Sequence, residues 1–366
     1  MNELFLLHDA SLKRYNTLGL DAVASNLYLP FSQEAFKQAL IQTKDKTRLL
    51  IGRGANILLA KAYYDDSYAF IVTSNAGNLR LENGEMVAEA GVTLDRLAWF
   101  CIEQSIGGFE FAEDIPGTVG GALIMNAGQF EYTIGMYVNW IDVYHPASDE
   151  FKRIYPDPDF FGYRRSKLEE EGAVVLACGL RTPPGESMKS LEKVLEYKRE
   201  RYRKQPRNYP NAGSVFKRPT KDGVTYYVWK LFEETGLRGY RIGDAQVSEK
   251  HPGFIVNLGK ASQKDVLDLV SECMNPRNGS LGGSLRHHGR PDLDAKGGVH
   301  RVADLCEKRE IGRIISSDRG AESRRRDFQR RTERIATAQP GRTAAGDDLG
   351  SHPVDPSHLR TTRQDA

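Results

Sequence analysis

The chain has 366 residues, and its 51 lysines and arginines against 49 aspartates and glutamates leave a formal charge of +2. That balance gives no general pull towards polyanions, the length allows two or three domains with a sizeable buried core, and no run of about 18 apolar residues offers a membrane span. Four scattered cysteines, Cys101, Cys178, Cys273 and Cys306, form no CxxC pair or Cys/His cluster; this argues against a zinc site or disulfide framework and fits a reduced, cytoplasmic chain.

In chain order the pattern mixes helix and strand. The apolar stretch of MNELFLLHDASLKR is too short for a signal peptide. Residues 32–42 read as a helix. Arg48–Leu50 start a strand that breaks at Gly52 and resumes at Ile57–Ala60, and Phe70–Thr73 form another. Asn83-Gly84, between LRLE and EMVAEAG, is the pair that favours a type I′ hairpin. Residues 93–105 place Leu94, Leu97, Ala98 and Cys101 on one helical stripe. Strands follow near Trp140–Val143, Lys152–Tyr155 and Val174–Leu180, then a charged helix at roughly 187–204. Beyond it come a strand at Ser214–Phe216, a helix at Tyr227–Thr235, a strand at Gly253–Asn257 and a helix at Ser262–Cys273.

Composition changes near residue 275. From Asn275 to Ala366 there are sixteen Arg against two Lys and a single aromatic, Phe328, with no apolar periodicity. So little apolar content does not repay the entropy of ordering. Disorder is the expectation, and a shifted reading frame is the account that explains so abrupt a change.

Two glycine-centred segments carry the chemistry. Gly117, Gly120, Gly121 and Gly128 fall within twelve positions, around Pro116 and beside Asn126, among apolar neighbours. Backbone without Cβ atoms lets a ligand approach closely, and exposed N–H groups suit a phosphate or a polar heteroaromatic ring. The bland alternative is a tight loop that only closes a sheet. Gly52-Arg53-Gly54-Ala55-Asn56 lies between two short apolar stretches. A dinucleotide fingerprint would open a helix here, whereas ILLA continues as strand, so a strand–turn–strand cradle for a pyrophosphate is the reading.

Of the reactive groups, Phe161-Gly162-Tyr163-Arg164-Arg165-Ser166 presents two guanidiniums, either a bidentate carboxylate clamp or a solvated basic pair. Asn211-Ala212-Gly213-Ser214 delivers one hydroxyl ahead of Lys217 and Arg218. No histidine is near in sequence, and His8, His145 and His251 form no readable triad, so Ser214 fits a positioned proton donor better than a nucleophile.

Taken together, RYNTLG (14–19), GRGANILL (52–59), AEDIPGTVGGALIMNAG (112–128), FGYRRS (161–166), KQPRNYPNAGSVFKRP (204–219) and GLRGYRIGDAQVSEKHPGFIVNLGKAS (236–262) resemble, in order and spacing, the UDP-N-acetylenolpyruvoylglucosamine reductases, the MurB flavoenzymes, in their shorter subtype. The resemblance spans residues 14–274. It implies an α+β fold: a two-lobed FAD-binding domain over 1–186 (lobes about 1–75 and 76–186), then a small substrate-binding domain over 187–274, with 275–366 as an unmatched tail. It further implies an FAD-dependent, NADPH-using reduction of UDP-N-acetylglucosamine enolpyruvate to UDP-N-acetylmuramate. The partner would be a UDP-sugar, with no membrane, nucleic acid or metal, in a monomeric chain.

Carried over residue by residue, Gly52, Arg53, Gly54, Ala55 and Asn56 would meet the FAD pyrophosphate together with Ile115, Pro116, Gly117, Thr118, Gly120 and Gly121. Asn126, Ala127 and Gly128 would lie at the isoalloxazine. Arg164 would stabilise charge on the substrate carboxylate, and Ser214 would donate a proton. Tyr163, Lys204, Lys217 and Arg218 would contact the carboxylate or the diphosphate. Two departures stand out: QFEYTIG follows Gly128 where the family runs on differently, and nothing after Met274 matches the strand that brings the family's C-terminal glutamate. Glu307, Glu310, Glu322 and Glu333 lie in the tail, outside any apolar strand pattern, and inherit no role. Three readings therefore stay open: the reductase, a flavin-binding relative with impaired turnover, and a nucleic-acid binder acting through its basic tail.

Overall fold

The computed structural model describes residues 3–218, 220–221, 224–274 and 299–301. Near the N-terminus, strands Leu4–Ser11, Val23–Pro30, Tyr68–Val72 and Thr47–Ile51 stand side by side in that order. The first pair is antiparallel and the rest are parallel. Helix α1 (Gln33–Gln42) begins at Ser32, whose Oγ accepts from Ala35 N at 3.1 Å, and buries Ala35, Phe36, Ala39 and Leu40. The pattern reading had missed the first two strands. Leu4–Ser11 lies at the sheet edge and leaves Phe5, Leu6 and Leu7 exposed, so it shows no apolar alternation.

A second, fully antiparallel sheet runs Glu150–Ile154, Val138–His145, Val174–Leu180, Glu85–Glu89, Leu79–Glu82. Its middle strand is buried at every position. Asn83 and Gly84 both take positive φ, 52° and 76°, as the type I′ turn requires. Helix α2 (Leu94–Glu103), α3 (Val119–Met125), the short α4 (Lys167–Glu170) and α5 (Ser187–Lys204) belong with this sheet. The α5 helix is pinned to it by Ser187 Oγ, donating to Ile102 O at 2.6 Å, and by Ser190 Oγ, donating to buried Glu110 Oε1 at 2.7 Å.

The third sheet, Asn211–Ser214, Phe254–Asn257, Ala245–Val247, Arg241–Ile242, is covered by α6 (Val228–Glu234) and α7 (Gln263–Cys273). A capping box between Ser262 and Asp265 starts α7. Its core takes in Leu18, Leu20 and Leu58 from the N-terminal region, and Asn257 Nδ2 donates to Leu18 O at 2.8 Å. The strand expected at Ser214–Phe216 instead occupies Asn211–Ser214. Gly213 turns the chain at φ +80°, and Val215 and Phe216 leave the ladder to fill the core.

Within the stretch from residue 275 onward, Val299–Arg301 pairs antiparallel with Ile57–Leu59. The remainder, with Cys306, Phe328 and all four tail glutamates, lies outside the described residues. Cys101, Cys178 and Cys273 are free and buried. Among the described residues no helix is long and apolar enough to cross a membrane, and no cluster of His, Cys, Asp and Glu could hold a metal ion.

Candidate active site

The two glycine segments meet. Gly54 sits at φ +65°, and its carbonyl accepts from Thr17 N at 3.0 Å and Thr17 Oγ1 at 3.3 Å. A Cβ at Gly54 would strike the backbone of Tyr15 and Asn16, and one at Gly52 would strike the side chain of Thr118. Thr118 caps α3, its Oγ1 accepting from Gly121 N at 3.5 Å. Residues 119–125, expected as loop, are thus a helix despite two glycines. Gly120 explains this: its amide donates to Ala90 O at 2.9 Å, and a Cβ there would come within 2.9 Å of Ala90 Cβ. Close packing outweighs poor helix propensity here.

At Gly117 and Gly121 an added Cβ would come no closer than ordinary contact, 3.4 Å from Leu94 and 3.7 Å from Thr118. The N–H groups of Arg53, Ala55 and Asn56 have no hydrogen-bond partner among the described residues. Next to Gly128, the buried Gln129 Nε2 lacks an acceptor. A glycine wall, unused amides and an orphaned buried donor together fit a cofactor with phosphates and a heteroaromatic carbonyl edge, as FAD has.

The segment carrying Arg164 is built on that wall. Asn126, buried and in the left-handed conformation at φ 43°, donates from Nδ2 to Gly162 O at 2.9 Å and accepts at Oδ1 from Gly135 N at 3.1 Å. Ser166 Oγ donates to Ile124 O at 2.8 Å, and Arg164 Nη2 donates to Gly128 O at 2.9 Å. Arg164 also holds φ +55°, rare for a side chain of its size. Burial, offset by Tyr163 and reinforced by Arg218, lowers its pKa from the ordinary guanidinium value. No carboxylate pairs with it among the described residues. A half-buried cation without a counter-charge suits an anionic ligand group.

Ser214 ends the Asn211–Ser214 strand of the third sheet, exposed. Its Oγ stands 3.9 Å from where a Cβ at Gly253 would be. His251 is near, but its Nδ1 accepts from Gly253 N at 3.2 Å and burial lowers its pKa, so it serves the loop rather than Ser214. His8 and His145 are engaged elsewhere, at Ser25 O and Glu171.

The described residues link Arg164 electrostatically to Arg218 but make no direct contact between Arg164 and Ser214. Arg218 lies over Tyr227, 4.7 Å from the ring centroid; Tyr163 is 59% exposed. Lys204 pairs with Glu200 one turn earlier in α5. Sequence reasoning missed Ser166 as an anchor, because its partner Ile124 O lies 42 positions back. It also missed Glu113 and Arg201: Glu113 Oε2 and Arg201 Nη1 are buried without a hydrogen-bond partner among the described residues, Arg201 Nη1 lying 3.7 Å from Asp114, and nothing local to their sequence announces that.

Comparison with known proteins agrees with this geometry. Residues 31–145 match the model of an FAD binding domain, and residues 205–279 match that of the C-terminal domain of UDP-N-acetylenolpyruvoylglucosamine reductase. The reductase of that name from Thermotoga maritima is 38% identical over 246 residues, 67% of this chain and 84% of its own. The one from Clostridioides difficile is 37% identical over 269 residues, 72% of this chain and 85% of its own. The crystal structure of the Thermus caldophilus enzyme superposes with a TM-score of 0.62 at 31% identity, covering 74% of this chain and 95% of the other.

Proposed function

From the premise that the chain belongs to the UDP-N-acetylenolpyruvoylglucosamine reductase family, FAD-dependent oxidoreductases of peptidoglycan precursor synthesis, we propose how its own residues divide the work. The substrate is UDP-N-acetylglucosamine enolpyruvate and the product UDP-N-acetylmuramate. Gly52–Asn56 and Ile115–Gly121 hold the FAD phosphates, and Asn126, Ala127 and Gly128 hold its ring. Bound FAD supplies the hydride, taken from NADPH, that reaches the enolpyruvyl double bond.

Hydride arrival leaves negative charge shared with the substrate carboxylate. Arg164 lies against that charge: its Nη2 is anchored on Gly128 O, which leaves Nη1 and Nε to the carboxylate. Ser214 Oγ–H gives its proton to the neighbouring carbon, so hydride and proton together saturate the bond. Tyr163, Lys217 and Arg218 line the carboxylate and diphosphate, with Lys204 at the rim. The FAD-binding domain is residues 1–186 and the substrate-binding domain 187–274, with α5 as the seam between them. A nucleotide-linked substrate places the enzyme in the cytoplasm, where it works as a monomer without nucleic acid.

The anchoring of Arg164 on Gly128 O carries this reading, because it ties the substrate clamp to the cofactor wall. The test is NADPH oxidation by the FAD-loaded chain, with and without UDP-N-acetylglucosamine enolpyruvate. Substrate-dependent oxidation, lost in Ser214→Ala while NADPH still reduces the flavin, supports it. A second reading, cofactor binding with impaired turnover, is favoured because among the described residues no carboxylate lies at Arg164. Flavin reduction by NADPH with no response to substrate would select that one.

A further inference from the structure

Beside the cofactor wall, the C-terminal half of α5 borders a cleft of about 440 Å³ lined by Asp114, Lys198, Arg199, Tyr202, Arg203 and Arg207. Its one carboxylate is already matched. Asp114 is gripped by Arg207, Nη1 to Oδ1 at 2.8 Å with Nη2 on Oδ2, and lies 3.7 Å from Arg201 Nη1. Behind it, Glu113 Oε1 takes Lys198 Nζ at 2.6 Å. Arg199 and Arg203, one turn apart, have no ion-pair or hydrogen-bond partner among the described residues. Like charges at that spacing repel. Lys250 also approaches, donating to Tyr202 O at 2.6 Å and lying 5.2 Å from the Tyr202 ring centroid.

Two further features suggest a nucleotide rather than a solvated basic face. Tyr202 is 68% exposed, a ring available to a base. Asp114 holds a backbone φ of +69°, which few non-glycine residues adopt, and it directly precedes Ile115 of the cofactor wall. The cleft therefore opens next to the segment assigned to the FAD phosphates. The residues assigned to FAD and to the UDP-sugar do not include Arg199 or Arg203.

We propose that this cleft takes the dianionic adenosine phosphate of the dinucleotide hydride donor, with Arg199 and Arg203 as the fork and Tyr202 as the platform for adenine. Two guanidiniums suit a dianionic phosphate monoester, and this group is what separates NADPH from NADH. The inference rests on the reading that a nicotinamide dinucleotide supplies the hydride.

The test uses the FAD-loaded full chain under anaerobic conditions, following flavin reduction against NADPH and NADH concentration. Arg199→Ala/Arg203→Ala should raise the apparent Kd for NADPH by at least about tenfold, leaving that for NADH and both limiting rates nearly unchanged. Arg199→Lys/Arg203→Lys should recover part of the loss. Calorimetry with adenosine 2′,5′-bisphosphate should show binding to the parent chain and its loss in the alanine pair. Equal shifts for NADPH and NADH, no shift for either, or bisphosphate binding indifferent to the two arginines would overturn the proposal. So would release of FAD by the bisphosphate, which would give the cleft to the cofactor's own phosphates. If neither dinucleotide reduces the flavin yet the bisphosphate binds through these arginines, the proposed reaction fails and the phosphate site stands.

Discussion

Asn126 and Gly162 are joined by one hydrogen bond, Nδ2 to O at 2.9 Å, and through it the end of the cofactor helix α3 sets the position of the Arg164 segment. The same side chain accepts from Gly135 N, so a single buried amide fixes three pieces of chain. Only asparagine and a few other residues tolerate the left-handed backbone at this position. Asn126→Ala should destabilise the protein by about 2–3 kcal/mol, from two lost hydrogen bonds and an unfavourable φ. Asn126→Gly keeps the backbone conformation and should lose less stability but as much turnover. Urea unfolding and steady-state rates on the two variants separate those effects.

Arg164 and Ser214 act on the transition state rather than on binding of the cofactor. Arg164→Lys keeps a charge but gives up the planar fork, and Ser214→Ala removes the proton. Each should lower kcat by about 10²–10³ with FAD content unchanged. Loss of flavin in either variant would show a structural role instead.

Gly52 offers a sharper test of the cofactor wall, because a methyl group there meets Thr118 and not solvent. Gly52→Ala should push Thr118 away and weaken FAD binding, and pairing it with Thr118→Ala, which removes the hydroxyl oxygen a Cβ would strike first, should restore part of the affinity. FAD titration by fluorescence quenching reads both. Equal affinity in all three proteins would place the phosphates elsewhere.

His251 makes stability depend on pH. Burial, with a smaller contribution from Arg238, lowers its pKa from the ordinary value of 6.5. Below that value the unfolded chain takes up a proton that the folded one resists, so stability falls as the pH drops through 6.5 towards the folded pKa and is intact above it. His251→Gln retains an acceptor for Gly253 N without titrating. The two proteins should unfold alike at neutral pH, with the variant becoming the more stable in acid. A constant difference across pH would remove His251 from the acid response.

Legibility from sequence followed locality. Asn83-Gly84 declares its turn because both positions need positive φ, and Val174–Leu180 declares its strand because every residue is apolar or small. The glycine segments and the residues around Arg164 and Ser214 were visible as motifs. What was hidden depended on distant partners. Gly120 is helical because Ala90 leaves no room for a Cβ, and Ser166 matters through Ile124 O, 42 positions back. Asn211–Ser214 pairs where it does because Phe254 and Val256 set the register. None of these causes is periodic in the chain itself.

The pairing of Val299–Arg301 with Ile57–Leu59 bears on the stretch after residue 275, where the composition changes. Leu58 and Leu59 are both fully buried, one in each of two cores, and only Ile57 separates them from Gly52–Asn56. A buried strand whose backbone N–H and C=O groups lack a partner pays for each of them. Ending the chain after Met274 removes that partner, so the cofactor loop loses support on its C-terminal side. The truncated protein should bind FAD more weakly and melt at a lower temperature, and FAD should recover less of its stability than in the full chain. His300→Pro, which deletes one donor from the ladder, should shift both measurements the same way by a smaller amount. Unchanged affinity and melting in both proteins would mean that this strand pairing contributes nothing to the cofactor site.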